Sequence, residues 1–278
     1  MRIVVALGGH AFPRRIEHAA HENDRQQIRA AARALADLAR DHSLVVTHET
    51  DRLIEDQLRR ELANLLGHDR ITTLLTRTIV RGVQPADICE LPAIRLLADN
   101  DFLVICASGY APVRRAEAGA LENLEGPLDN DLWSAVLARR LQADCLMLLT
   151  DVAALYADWQ TDRPRRIRCA HPEALDPGDF PAGSTGVKID AARDFAISTG
   201  RPAYIGALDQ ASELLDGSTG TCVKTGVNGF RFGTTLTKAR PNAVAGCSAP
   251  RLLARPCCSA SGNQSPPQSV PAAHKSLA

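Results

Sequence analysis

No apolar run in the 278-residue sequence approaches the roughly 20 residues that a membrane-spanning helix needs. A membrane partner is therefore not expected. Nor is there an excess of either charge, since Lys+Arg and Asp+Glu both number 32. Proteins that bind nucleic acid through bulk charge carry a basic footprint, so no nucleic-acid partner is expected. The chain lacks G-x-x-x-x-G-K-[ST], which excludes a P-loop. It lacks G-x-G-x-x-G after its first apolar run, which argues against a dinucleotide site. It also lacks the C-x-x-C spacing of a zinc site. Its cysteines number 8; Cys257 and Cys258 are adjacent, and Cys89, Cys106, Cys145 and Cys169 are scattered. They read as reduced thiols, with Cys106 and Cys145 inside core strands, and no metal-ligand set is expected. The chain opens directly on a strand, so no signal peptide is expected and the cytoplasm is the expected setting. There are no internal repeats.

What is present is a succession of short apolar runs between amphipathic stretches. Ile3-Val4-Val5-Ala6-Leu7 ends in Gly8-Gly9. It reads as a strand that stops abruptly and is buried on both faces, as in a parallel sheet between helices. Asp24 to Arg40 reads as a helix with Ile28, Ala31, Ala32, Leu35, Leu38 and Ala39 on one stripe. Leu44 to Thr47 follows as a strand, which makes a right-handed βαβ unit. Further strands are predicted at Ile71 to Val80, Phe102 to Ala107, Cys145 to Thr150, Pro202 to Ala207 and Thr221 to Lys224. Helices are predicted at Glu55 to Leu66, from Leu91, at Leu132 to Leu141, Ile189 to Ser198 and Leu208 to Leu215. Arg163 to Arg168 reads as a solvated basic loop. This alternation predicts an α/β layer architecture with a mainly parallel central sheet. From about Asn228 the composition changes, and residues 240–278 are rich in Pro, Ala and Ser without periodicity. The expected boundaries are a domain over residues 1–227 and a disordered tail over 228–278.

Three features converge on a phosphate site. Gly8-Gly9 ends a strand, where ligands of open α/β sheets bind and where glycine lets backbone amides come close. Gly183-Ser184-Thr185-Gly186 precedes a helix and Lys188, offering N–H groups, a helix N-terminus and a point charge to an anion. Thr150-Asp151 ends another strand, where a carboxylate meets a metal or orients a lysine. Each also has a plainer reading: a turn, a linker or cap, and an N-cap.

Taken in order, the segments resemble the carbamate kinase family, within the amino acid kinase superfamily. They are Ile3-Val4-Val5-Ala6-Leu7-Gly8-Gly9, Leu44-Val45-Val46-Thr47-His48, Glu90-Leu91-Pro92-Ala93-Ile94 and Val104-Ile105-Cys106-Ala107. Leu149-Thr150-Asp151-Val152-Ala153-Ala154-Leu155-Tyr156 resembles the family's L-T-D-V-x-x-[VL]-Y. Phe180-Pro181-Ala182-Gly183-Ser184-Thr185-Gly186-Val187-Lys188 resembles its F-x-x-G-S-M-G-P-K. The resemblance runs with gaps from residue 1 to about 223. It implies a three-layer αβα sandwich, a homodimer, and Mg2+-dependent phosphoryl transfer between ATP or ADP and carbamate or carbamoyl phosphate. By carry-over, Gly8 and Gly9 contact the transferring phosphate through backbone. Thr150, Asp151 and Tyr156 lie by the nucleotide, and Gly183, Ser184, Gly186 and Lys188 lie by its phosphates.

The departures from the family pattern are specific. His10 stands where the family has Asn after Gly-Gly. Glu49-Thr50-Asp51-Arg52 follows His48 where the family has G-N-G-P-Q-V-G. Ser108-Gly109-Tyr110-Ala111-Pro112-Val113 replaces G-G-G-G-I-P-V. Asp129-Asn130-Asp131 replaces D-K-D, so the second acid, Asp131, is kept while a catalytic lysine becomes a neutral amide. The family's lid subdomain is expected to be reduced. Losing one electrostatic donor at a phosphoryl-transfer site commonly costs about 10²–10³ in rate. Two functions therefore follow from the resemblance: a phosphotransferase with impaired turnover, or a nucleotide-binding protein that has lost its carbamate side.

Overall fold

Ile3, Val4, Val5, Ala6 and Leu7 are all fully buried, and the strand they form, β1 (Arg2–Leu7), runs near the middle of the main sheet. The computed structural model describes residues 1–8, 22–48, 52–76, 78–81, 84–107, 112–115, 121–123, 129–181 and 183–233. Gly9 and His10 lie outside the described residues, as do Glu49 to Asp51, Ser108 to Ala111 and the expected tail from residue 234 onward.

After β1 come α1 (Glu22–Asp41), β2 (Ser43–His48) and α2 (Arg52–Leu66). The stripe on α1 holds: Ile28, Ala31, Ala32, Leu35 and Leu38 are buried. α2 adds Ile54, Leu58 and Leu62 to the same apolar cluster. Then follow β3 (Ile71–Leu75), β4 (Thr78–Arg81), β5 (Gln84–Ile88), α3 (Leu91–Asp99) and β6 (Leu103–Ala107). Next are β7 (Pro112–Arg115), β8 (Leu121–Asn123), α4 (Asn130–Arg140) and β9 (Cys145–Thr150). The order closes with β10 (Tyr156–Ala157), β11 (Arg165–Ala170), α5 (Ser184–Thr199), β12 (Ala203–Ala207), α6 (Ala211–Asp216), β13 (Thr221–Val223) and β14 (Phe230–Phe232).

The main sheet runs β10-β11-β13-β12-β9-β1-β2-β6-β3, with β14 added on β11. From β12 to β3 every pairing is parallel, whereas β13 is antiparallel to β12, and β10 and β14 are antiparallel to β11. Alternate side chains of a strand face opposite sides of the sheet. Accordingly Ile3, Val5 and Leu7 pack with α1, α2 and α6, while Val4 and Ala6 pack with α3, α4 and α5. Helices thus cover both faces, which is the αβα sandwich the sequence implies.

Four local expectations are corrected. The single strand over Ile71 to Val80 divides at Thr76, which is buried; β3 enters the main sheet and β4 enters a second sheet, ordered β5-β4-β7-β8. That second sheet joins two segments distant in sequence, so local pattern did not foresee it. Arg163 to Arg168 is not a loop, because β11 begins at Arg165. Its one fully buried apolar residue there, Ile167, is flanked by Arg166 and Arg168, which donate to the carbonyls of Ser218 and Gly217. Long arginine stems lie along a sheet while their heads stay wet, which masks the strand signature. α4 begins at Asn130 rather than Leu132, and α5 begins at Ser184 rather than Ile189. In both cases the capping residue precedes the apolar stripe. Regular structure among the described residues continues to Phe232 in β14.

Candidate active site

Asp129 caps α4: its Oδ1 accepts from Asp131 N at 2.9 Å and Leu132 N at 3.3 Å. This satisfies donors that a helix start leaves open. It also sets the first turn so that Asn130 and Asp131 are 2% and 4% exposed. Asn130 Nδ2 donates to the carbonyl of Leu7 at 3.2 Å, tying α4 to the end of β1. One turn on, Ser134 donates to the Asn130 carbonyl at 2.5 Å and meets Thr47 Oγ1 of β2 at 2.5 Å. Both hydroxyls are fully buried.

Asp131 Oδ2 accepts from Lys188 Nζ at 2.7 Å, and both side chains are nearly inaccessible. Lys188 reaches across Gly8: a Cβ added there would stand 2.5 Å from Lys188 Nζ. Gly8 is thus required for the close approach of an ammonium to the head of β1. Removing a carboxylate and an ammonium from water costs several kcal/mol per ion before their attraction is counted. Such a pair is poor as a stabilising device, and here it fixes a cation at a strand end where α/β sheets bind ligands.

The helix that carries Lys188 begins without a side-chain cap. Gly183, at φ 120°, is its N-cap, and among the described residues no side-chain cap bond is present. Ser184 and Gly186 lie half-buried in its first turn. Open N–H groups and the positive end of the helix dipole form an anion site. β9 lies beside β1, with Gly8 N donating to Leu149 O at 3.4 Å. The next residue, Thr150, is 6% exposed and donates to Asp151 Oδ1 at 3.0 Å. Asp151 itself is exposed.

Of the sequence-predicted residues, Gly8, Asp131 and Lys188 therefore come together, with Thr150 on the adjoining strand end. Tyr156 does not join them: it stands on β10, four strands from β9, opposite Arg166. Sequence reasoning missed the buried hydroxyls of Thr47 and Ser134. The available signal was Ser134 lying four residues after Asn130, on the same helix face. It also missed His48, fully buried at the end of β2. Burial pushes the His48 pKa down to about 4. Its 3.6 Å approach to Glu55 is therefore a contact of a neutral imidazole at neutral pH. Among the described residues, no three His, Cys, Asp or Glu side chains are placed to cage a metal. A cavity of about 850 Å3, lined by Arg2, His42, Arg70 and Phe102 among others, opens at the amino ends of β1, β2 and β6. It is on the opposite edge from Lys188.

Parallel sheet, flanking helices and a lysine held at the head of the first strand define a class. Residues 1–207 match the model of the amino acid kinase family, and the chain belongs to that family. Its relatives there are carbamate kinases. It is 31% identical to the carbamate kinase of Rhizobium meliloti (strain 1021), covering 81% of this chain and 94% of that protein. It is 30% identical to that of Escherichia coli (strain K12), covering 80% and 98%. In fold it matches a solved carbamate kinase from Giardia lamblia bound to AMP-PNP, with TM-score 0.71 and 23% identity over 80% of this chain and 98% of that one. The Rhizobium alignment runs over 303 positions, more than the 278 residues of this chain. It therefore opens gaps in this chain, in keeping with its shortened loops.

Proposed function

We propose that the protein is a carbamate kinase-like phosphotransferase, converting ATP and carbamate to ADP and carbamoyl phosphate and back, with impaired turnover. The observation that carries this reading is the Lys188 ammonium held by Asp131 over Gly8. Phosphoryl transfer asks a protein for positioning and charge neutralisation rather than covalent chemistry. In this reading Lys188 neutralises phosphate charge, and Asp131 acts through it by fixing the ammonium. Gly8 and Gly9 offer backbone to the moving phosphoryl group, with His10 next to them. The open N–H groups of Gly183, Ser184 and Gly186 receive nucleotide phosphates. Thr150 and Asp151 border the nucleotide, and Tyr156 belongs to its far wall.

Mg2+ is bound through one or two carboxylates plus substrate phosphates rather than by an all-protein cage. The donor set fits that mode, with Asp151 exposed at the head of β9 as the candidate carboxylate. When bound, the ion supplies further charge neutralisation on the phosphates. The same reading makes the protein a cytoplasmic homodimer that acts on small molecules. No helix of the described residues is long and apolar enough to cross a membrane.

One observation favours a second reading, a nucleotide-binding protein without turnover. Where the family has a catalytic lysine, Asn130 is neutral and its amide is engaged by the Leu7 carbonyl. Calorimetry with AMP-PNP and Mg2+, followed by an assay of ATP formation from ADP and carbamoyl phosphate, separates the two. Binding with turnover that Lys188→Ala abolishes supports the phosphotransferase. Binding without turnover refutes it in favour of the second reading, and absence of both refutes the site.

A further inference from the structure

β11 and β13 run parallel, and their register sets Cys169 directly opposite Cys222. Cys222 in turn stands opposite Tyr204 of β12. Directly opposed residues of neighbouring strands project to the same face, roughly 4.8 Å apart. That spacing falls within the Cα separation of about 4.4–6.8 Å over which disulfides form. Both cysteines are unbridged. Cys106, by contrast, faces Thr47 and Leu74 in register and is fully buried.

The two sulfurs differ in access. Cys169 is partly exposed, whereas Cys222 is 7% exposed. Burial pushes the Cys222 thiol up to about 11 against the opposing pull of Lys224. Cys169 is therefore the sulfur that a dissolved reagent meets first.

We propose that Cys169 and Cys222 form a thiol modification site, oxidised by low-molecular-weight disulfides to an intrachain Cys169–Cys222 bond. The Cys169 thiolate attacks one sulfur of oxidised glutathione, forming a mixed disulfide and expelling one glutathione thiolate. The Cys222 thiolate then attacks Cys169 Sγ and expels the second. The two protons lost by the protein thiols end on the two glutathione thiols. The protein is oxidised by two electrons and the glutathione disulfide is reduced by two, as thiol–disulfide exchange requires. The bond closes the segment from 169 to 222, which includes Gly183, the whole of α5 and Lys188. This inference does not depend on the phosphotransferase reading, since neither cysteine belongs to the Lys188 cluster.

The test is peptide mapping by mass spectrometry, without reduction, of the folded full-length protein after incubation with oxidised glutathione. A parallel sample carries Cys247→Ser, Cys257→Ser and Cys258→Ser, which removes exchange with the C-terminal cysteines. The expected product in both samples is a Cys169 peptide linked to a Cys222 peptide. It should be lighter than the two reduced peptides by about 2 Da, restored by dithiothreitol and absent from Cys169→Ser and Cys222→Ser proteins. Persistence of both thiols overturns the proposal. So does a product that stops at glutathione on Cys169, or one that bridges either cysteine to another position.

Discussion

Lys188→Met keeps an unbranched stem of similar length and deletes only the ammonium. In the folded protein it leaves the Asp131 carboxylate, 4% exposed, without the cation that lies 2.7 Å away. Breaking a buried pair from one side costs about 3–5 kcal/mol, whereas replacing both partners by apolar groups of similar volume is often neutral or stabilising. The expected order is therefore unusual: Lys188→Met alone is the less stable protein, and Lys188→Met with Asp131→Leu recovers most of the loss. Against a whole-domain stability of about 5–15 kcal/mol, the single substitution removes a large part. Urea unfolding at neutral pH reads this directly through Trp133, which is fully buried in α4 two residues from Asp131. A Lys188→Met protein within about 1 kcal/mol of the parent, or a double variant as unstable as the two losses added, refutes the reasoning. Either result would mean that the ammonium is not buried against Asp131.

Three more outcomes are expected. Gly8→Ala sets a methyl 2.5 Å from Lys188 Nζ; overpacking of this kind costs about 1–3 kcal/mol, so unfolding and AMP-PNP titrations should both weaken, and unchanged values would place Lys188 elsewhere. Asn130→Lys restores the cation missing from the family pattern and should raise ATP formation by at least about 10²-fold; no gain assigns the defect to the loop after His48. For His48, the folded pKa of about 4 lies below the ordinary 6.5, so the unfolded chain binds the extra proton. Its contribution to stability is complete above 6.5 and drains away as pH falls toward 4. The loss should be about 2 kcal/mol by about pH 5. Urea midpoints of the parent and of His48→Gln should converge over that window, and parallel profiles would contradict it.

The strands of the parallel core were legible because burial on both faces leaves continuous apolar runs. Cys145–Thr150 coincides with its sequence expectation to the residue. Strands at the sheet's end were harder. In β11 the buried apolar signal shrinks to Ile167, between Arg166 and Arg168, and Ala170, and β14 is three residues long. The site was legible as separate motifs. Lys188 stands out in the sequence for nucleotide phosphates, and Asp131 as the second acid kept from the family's D-K-D. Their direct contact is not visible in either motif, because it depends on how α4 and α5 pack. Gly8 was read as a glycine that admits a ligand, and its tightest neighbour proves to be the Lys188 ammonium.

The sequence by itself determined the alternation of strands and helices, the faces they bury and the family motifs, because these depend on residues within a turn or two of each other. Only the tertiary structure decided which of those residues meet. Asp131 and Lys188 are 57 positions apart, and Asn130 reaches back 123 positions to Leu7. Cys169 and Cys222 share a row through the register of β11 on β13. Strand order, crossover and register set these encounters, and none of the three is encoded in local periodicity. The same limit hid the second sheet, whose strands β4 and β7 pair across the whole of α3 and β6.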